Sequence, residues 1–177
     1  MWFFNKNYSK IFKDIEECDI KHSSNYSIED AGMFYQDRLH GYGCEFNHKN
    51  QTIAFGIFKK GKLYKNLGDI FDLIKSSVGY DSKMISTLVF GEGVYIGEAM
   101  SPAGYHNNPN LRTDRYGIMI LKTGMFVGVF PTGYYLSSCR GTYYNLKGEE
   151  EYGTFDIDIE DKERWGNDEL GEYLPSY

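Results

Sequence analysis

No apolar run in the chain approaches the roughly 20 residues that a membrane-spanning helix needs. Met1-Trp-Phe-Phe4 is apolar but stops at Asn5-Lys6, too soon for a signal-peptide core. Cysteine is scarce: Cys18, Cys44 and Cys139 are odd in number and widely spaced, which excludes a disulfide framework. Reduced thiols in a cytoplasmic protein are expected. Bases are nearly missing from residues 149–177. That stretch holds 11 of the 25 acids and only Lys162 and Arg164 of the 19 bases, a charge of −9, against +3 for the remainder. A chain of net charge −6 is a poor candidate for general nucleic-acid binding, so no direct nucleic-acid contact is expected.

Glycine and aromatic residues are plentiful. Aromatics make up 17% of the 177 residues, Tyr alone contributes 16, and there are 20 Gly. Aromatic rings cover pleated surfaces and glycines serve turns and bulges, so the composition favours sheet. Leu121-Lys-Thr-Gly-Met-Phe-Val-Gly-Val-Phe-Pro-Thr-Gly-Tyr134 predicts a strand, a tight turn and a second strand. Alternate residues share a strand face, which places Phe126, Gly128 and Phe130 together. Gly133, five residues after Gly128, is expected in a turn. The phrase recurs around Gly56, Gly97 and Gly153 at spacings of 41, 31 and 25 residues. The two longer spacings contain a predicted helix and a long loop, leaving an underlying unit of about 23–25 residues.

The expected organisation is one domain over residues 1–177. Residues 1–32 form an N-terminal helix and lead-in, with the helix over 9–21 presenting Ile11, Phe12, Ile15 and Cys18. Residues 33–64 form a first repeat. Residues 65–87 carry an inserted helix, capped by Asn66 and stopped by Gly79. Further repeats fill 88–158, interrupted by a loop insertion at 101–115. Residues 159–177 are an acidic C-terminal segment, in which Trp165 and Tyr173 are candidates for docking. Tyr116–Leu121 is apolar on both faces, so its sheet is either covered on both sides or lines a groove.

A unit of this size, with aromatic-x-Gly-x-aromatic, a second Gly five residues on and a Gly-rich lead into the next strand, resembles the MORN repeat. His40-Gly-Tyr-Gly-Cys-Glu-Phe46 through Phe58-Lys-Lys-Gly-Lys62 is the closest match, and the resemblance covers roughly residues 33–64 and 88–158. Ala99 and Glu151 depart from the pattern, each standing where an aromatic belongs. Phe58-Lys-Lys-Gly-Lys-Leu-Tyr64 is also similar to bacterial YwqK-type antitoxin repeats. The resemblance implies a mainly β fold: an elongated, twisted antiparallel meander of stacked hairpins, here with two short helices. It also implies binding to proteins, and sometimes membranes, rather than catalysis.

Chemical motifs are sparse. His40 and Cys44 would share a strand face about 13 Å apart, too far for one metal ion, and His48 falls in a turn. Cys139 beside Arg140 suggests either an activated thiol or, more simply, a packed small hydrophobe. Gly91-Glu-Gly93 lacks the third glycine of a dinucleotide loop. Phe155-Asp-Ile-Asp-Ile-Glu160 alternates acid and apolar residues, which is one wet and one packed strand face rather than a calcium loop. No catalytic residue, metal or cofactor is expected.

The expected function is a non-enzymatic protein-binding module of the inhibitor or neutralising kind, such as an antitoxin, immunity or counter-defence protein. It would act through an aromatic sheet face, the long loop with Tyr105, His106 and Arg112, and an acidic face with Asp156, Asp158, Glu160 and Asp161. The expected partner is a protein, basic or nucleic-acid-handling; membrane contact is not expected, and the oligomeric state is open. The alternatives are a membrane-surface scaffold using the lysine-rich turn, or a small ligand-binding enzyme using the 101–114 loop.

Overall fold

Eleven strands follow one another as antiparallel hairpins in a computed structural model that describes residues 10–13, 15–76, 85–90, 92–100, 112–133 and 138–157. The mainly β meander is as expected, and it divides into two sheets. The first holds β1 (Asp19–Asn25), β2 (Ile28–Tyr35), β3 (Arg38–Asn47), β4 (Thr52–Lys59) and β5 (Lys62–Asp69), in that order. The second holds β6 (Ile85–Phe90), β7 (Gly93–Met100), β8 (Arg112–Leu121), β9 (Gly124–Gly133), β10 (Cys139–Asn145) and β11 (Glu150–Phe155), again in chain order. Tight turns set the register. Gln36 and Asp37, and Lys60 and Gly61, all have positive φ, the requirement of the two-residue turn that matches strand twist.

The sheets share a core. From the first come Met33, Tyr42, Cys44, Ile53 and Ile57; from the second come Val94, Ile96, Ile118, Ile120 and Met125. Each set alternates along its strands, so one face of each sheet enters the shared layer. The Tyr42 hydroxyl donates to the Asn145 carbonyl across the gap. The Thr87 hydroxyl donates to Glu29 Oε1 at 3.3 Å and makes a second cross-link.

The opposite face of the second sheet has a core of its own, built on Tyr95, Met119, Phe126, Phe130 and Cys139. Ile118 and Ile120 meet the first sheet while Met119 is fully buried on the other side, so this sheet is covered on both faces. Phe126 and Phe130 stand edge to face with centroids 5.2 Å apart, and Tyr95 stands likewise on Phe130 at 5.0 Å. That geometry suits the aromatic quadrupole.

Glycines line up across the strands. Gly97, Gly117, Gly128, Gly141 and Gly153 pair in series from β7 to β11. Gly32, Gly43 and Gly56 do the same from β2 to β4. A Cβ on Gly117 would fall 2.2 Å from the Tyr95 ring, so the absent side chain is what lets that ring lie flat on the sheet. Around Gly128 the close neighbour is not a ring but backbone: a Cβ there would sit 2.3 Å from the Arg140 carbonyl oxygen.

Several predicted boundaries move. The helix expected over 9–21 is shorter: residues 10–12 are helical, Ile15–Glu17 is a single 3-10 turn, and Asp19–Asn25 is a strand. Pairing with β2 takes the polar stretch into the sheet, because backbone hydrogen bonds do not need apolar side chains. The apolar stripe still packs, with Ile11, Phe12 and Cys18 buried and Phe12 set 4.8 Å from the Tyr42 ring. The strand that carries Met33 also starts earlier, at Ile28. The inserted helix, α1 (Phe71–Ser76), starts later than Asn66, because β5 runs to Asp69 against β4. Asp69 rather than Asn66 serves its first turn, accepting from the Phe71 N–H at 2.8 Å. Gly133 pairs with Thr113 as the last residue of β9 instead of turning. Arg112 to Arg115, expected in the loop, open β8. Gly79, Trp165 and Tyr173 lie outside the described residues.

Candidate interaction edges

Of the residues expected to bind a partner, Tyr105, His106, Asp158, Glu160 and Asp161 lie outside the described residues. Arg112 is the first residue of β8 and its backbone pairs with Met100. Asp156 is exposed just past β11, where its Oδ1 accepts the Ser138 N–H at 2.9 Å and ties the two ends of the β10–β11 hairpin. The alternation of acid and apolar residues holds as far as it is described. Phe155 rests 5.9 Å from both Phe126 and Tyr143, Ile157 joins the same cluster, and Asp156 faces water.

The aromatic sheet face is not open. Tyr95 is 0% exposed and Phe126 and Phe130 are each 1% exposed, so the rings of the glycine-aromatic repeat are core. Their mutual edge-to-face packing consumes the surface that the sequence pattern implied.

Two sheet edges each carry exposed apolar and charged groups side by side. β11 is an end strand carrying exposed Glu150 and Glu151, with Tyr152 72% exposed. The turn before it is fixed by Asn145, whose Oδ1 accepts the N–H groups of Lys147 and Glu149 and whose amide donates to the Glu149 carboxylate. β5 is the far end strand of the other sheet. It carries exposed Lys62, Leu63 and Tyr64, Lys60 lies in the turn before it and Lys59 ends β4. Lys59 Nζ stands 5.8 Å from the centre of the Tyr64 ring. One edge is acidic and the other basic.

Glu98 is 3% exposed on β7. One oxygen accepts the Tyr116 N–H at 2.9 Å and the other lies 3.5 Å from the Arg115 guanidinium. Arg115 has φ of 57°, at the register shift between β8 and β9. The Tyr95 hydroxyl donates to the Glu98 carbonyl and lies 3.3 Å from that of Tyr116. These contacts satisfy the carboxylate within the sheet and pin the bulge. No sequence pattern marks Glu98; it is a single acid in an otherwise apolar strand.

Cys139 is buried. Burial, then the Asp156 charge, pushes its thiol up to about 12, which keeps it protonated and unreactive. His48 stacks on Phe46 at 3.9 Å and sits 2.6 Å from the Glu29 carboxylate at the surface. His40 Nδ1 accepts the Lys60 N–H at 3.3 Å. No helix among the described residues is long and apolar enough to cross a membrane.

Comparison with protein-family models, with curated proteins and with solved structures returns no match.

Proposed function

We propose that this chain is a MORN-like, non-enzymatic protein-binding module of the cytoplasm that neutralises a basic partner through its acidic β11 edge. The observation that carries this reading is β11 itself: the end strand of its sheet among the described residues, with Glu150, Glu151 and Tyr152 exposed. A sheet edge offers main-chain hydrogen bonds to an incoming strand, and the carboxylates select a basic one. An exposed tyrosine is a preferred anchor at such interfaces. The acidic sequence of residues 149–177 adds a field that speeds encounter with a positive surface. The in-register glycine rows support the repeat reading, because paired glycines are what a stacked Gly-aromatic hairpin unit requires.

The test is capture from cells of the source organism with the wild-type chain and with Glu150→Gln/Glu151→Gln, followed by association kinetics against the captured protein at two salt concentrations. The expected result is slower association for the variant, with the gap widest at low salt, since exposed charges are screened beyond about 8 Å at ~0.15 M. Equal rates at both salts would remove the acidic edge from the interface.

A further inference from the structure

We propose that residues 165–177 of this chain dock on the basic β4–β5 turn of the same molecule, an intrachain strap over the β5 edge. Four exposed cations surround that turn: Arg38, Lys59, Lys60 and Lys62. None of the four has an ion-pair partner among the described residues, and Asp37, the acid next to Arg38, is taken by Lys21 at 3.5 Å. The turn holds them in place. The Gly61 N–H donates to the Leu39 carbonyl at 2.8 Å, and the Lys60 N–H donates to His40 Nδ1 at 3.3 Å. The Arg38 Cδ lies 3.5 Å from where a side chain on Gly61 would begin. Leu63 and Tyr64, 39% and 47% exposed, adjoin the cations on β5. Like charges gathered at one turn repel one another, and an occupant bearing carboxylates relieves that repulsion. The neighbouring Leu63 and Tyr64 favour one that also brings apolar side chains.

The chain carries such an occupant. Residues 158–177, outside the described residues, hold seven acids against Lys162 and Arg164. From Trp165 onward there is no base, and Asp168, Glu169 and Glu172 stand among Trp165, Leu170 and Tyr173. Topology puts the turn within reach. Strand order runs the same way in both sheets, with β1 against β6 and β7, β2 against β7 and β8, and β3 against β8. β5 and β11 are therefore the outer strands on one side of the molecule. Tyr42 bonds to Asn145 in the turn where β11 begins, while Glu29, paired with Phe46 at the other end of β3, meets Thr87. The Arg38 end of the first sheet thus lies toward the β10–β11 turn. β11 runs away from it for six residues, about 20 Å at ~3.3 Å per residue. Asp168 is eleven residues past Ile157, an extended span of about 36 Å, enough to return along β11 and across the ~10 Å between sheets. Asp158 is too close to Ile157 to do so. A tethered segment acts at an effective concentration on the order of millimolar, which an acidic partner in free solution must exceed to displace it. The inference rests on this chain alone, not on the partner proposed above. It couples the two edges: a basic partner that draws the acidic segment away uncovers Leu63, Tyr64 and the lysines.

Zero-length carbodiimide coupling of the 177-residue chain is the test, on an equal mixture of isotope-labelled and unlabelled protein mapped by mass spectrometry. Amide links should join Lys59, Lys60 or Lys62 to Asp168, Glu169 or Glu172 within peptides of a single isotope. They should fall several-fold at ~1 M salt, where charges are screened beyond about 3 Å. Lys60→Glu/Lys62→Glu should reduce the links from Lys59 several-fold. Asp168→Asn/Glu169→Gln/Glu172→Gln should speed acylation of Lys60 and Lys62 several-fold, because the strap no longer shields them. Unchanged circular dichroism in both variants separates a lost contact from lost folding. No such links, or links from these lysines confined to Glu149, Glu150, Glu151 and Asp158, would overturn the proposal. Links that carry both isotopes would overturn it too, assigning the edge to another copy of the chain. So would anionic vesicles or an oligonucleotide that bind the wild-type and the neutralised chain equally, since β5 would then lie open to a polyanion.

Discussion

Gly128 and Gly141 face each other across β9 and β10, and a Cβ on Gly128 would lie 2.7 Å from the Gly141 Cα. Neighbouring backbone fills the space in which a side chain would stand. Backbone in the middle of a sheet cannot step aside as a flexible side chain can. Gly128→Val should therefore cost roughly 1–3 kcal/mol and lower the melting temperature accordingly.

Gly153 is the control for that argument. It belongs to the same row, but a Cβ there would meet only the Phe155 ring, at 3.6 Å. Gly153→Ala should leave the melting temperature unchanged or raise it, since alanine narrows the unfolded ensemble by roughly 0.4–1 kcal/mol where the native backbone accepts it. Equal losses for Gly128→Ala and Gly153→Ala in thermal melts would contradict the backbone-contact account.

Tyr42 joins the sheets through its hydroxyl bond to the Asn145 carbonyl, and its ring lies 6.2 Å from that of Tyr144. Tyr42→Phe keeps the ring and deletes the bond. A loss of about 1 kcal/mol is expected, or about 2–4 °C in a chain of this size. Amide hydrogen exchange should quicken at the β10–β11 turn if the bond holds the two sheets in place there.

Asp30 gives the fold a pH dependence. Burial, then repulsion from Glu45 directly opposite on β3, raises its carboxyl from 3.8 to about 6. Its Oδ1 is buried without a hydrogen-bond partner. The fold thus favours the protonated form. That contribution is complete below 3.8 and is lost as pH rises through about 6. Asp30→Asn should gain stability relative to wild type between about pH 4 and pH 7, read as a widening difference in melting temperature. A constant difference across that range would mean that Asp30 titrates normally.

All three cysteines are buried, and burial raises the Cys44 thiol as well as that of Cys139. Native protein should react with Ellman's reagent only at the rate of unfolding, then release three thiols in denaturant. A fast-reacting thiol that disappears in Cys139→Ser would identify Cys139 as accessible.

Phe126, Gly128 and Phe130 were legible in advance as residues of one strand face, because the two-residue period of a strand is a local property of the backbone. Helical spacing marked the apolar stripe of Ile11, Phe12 and Cys18, which is buried although the helix there is short. The sequence alone thus determined that the chain is a meander of hairpins with glycine at repeated points. Tertiary structure decided the remainder. Whether a ring packs inward or faces a partner depends on what lies against it, and the Tyr95, Phe126 and Phe130 rings pack on one another. Whether a strand is central or terminal depends on where pairing stops, which no local pattern in Tyr152 or Tyr64 records. The glycine rows, too, exist only once the register is set, because Gly117, Gly128 and Gly141 are separated in sequence and become neighbours through hydrogen bonding between strands.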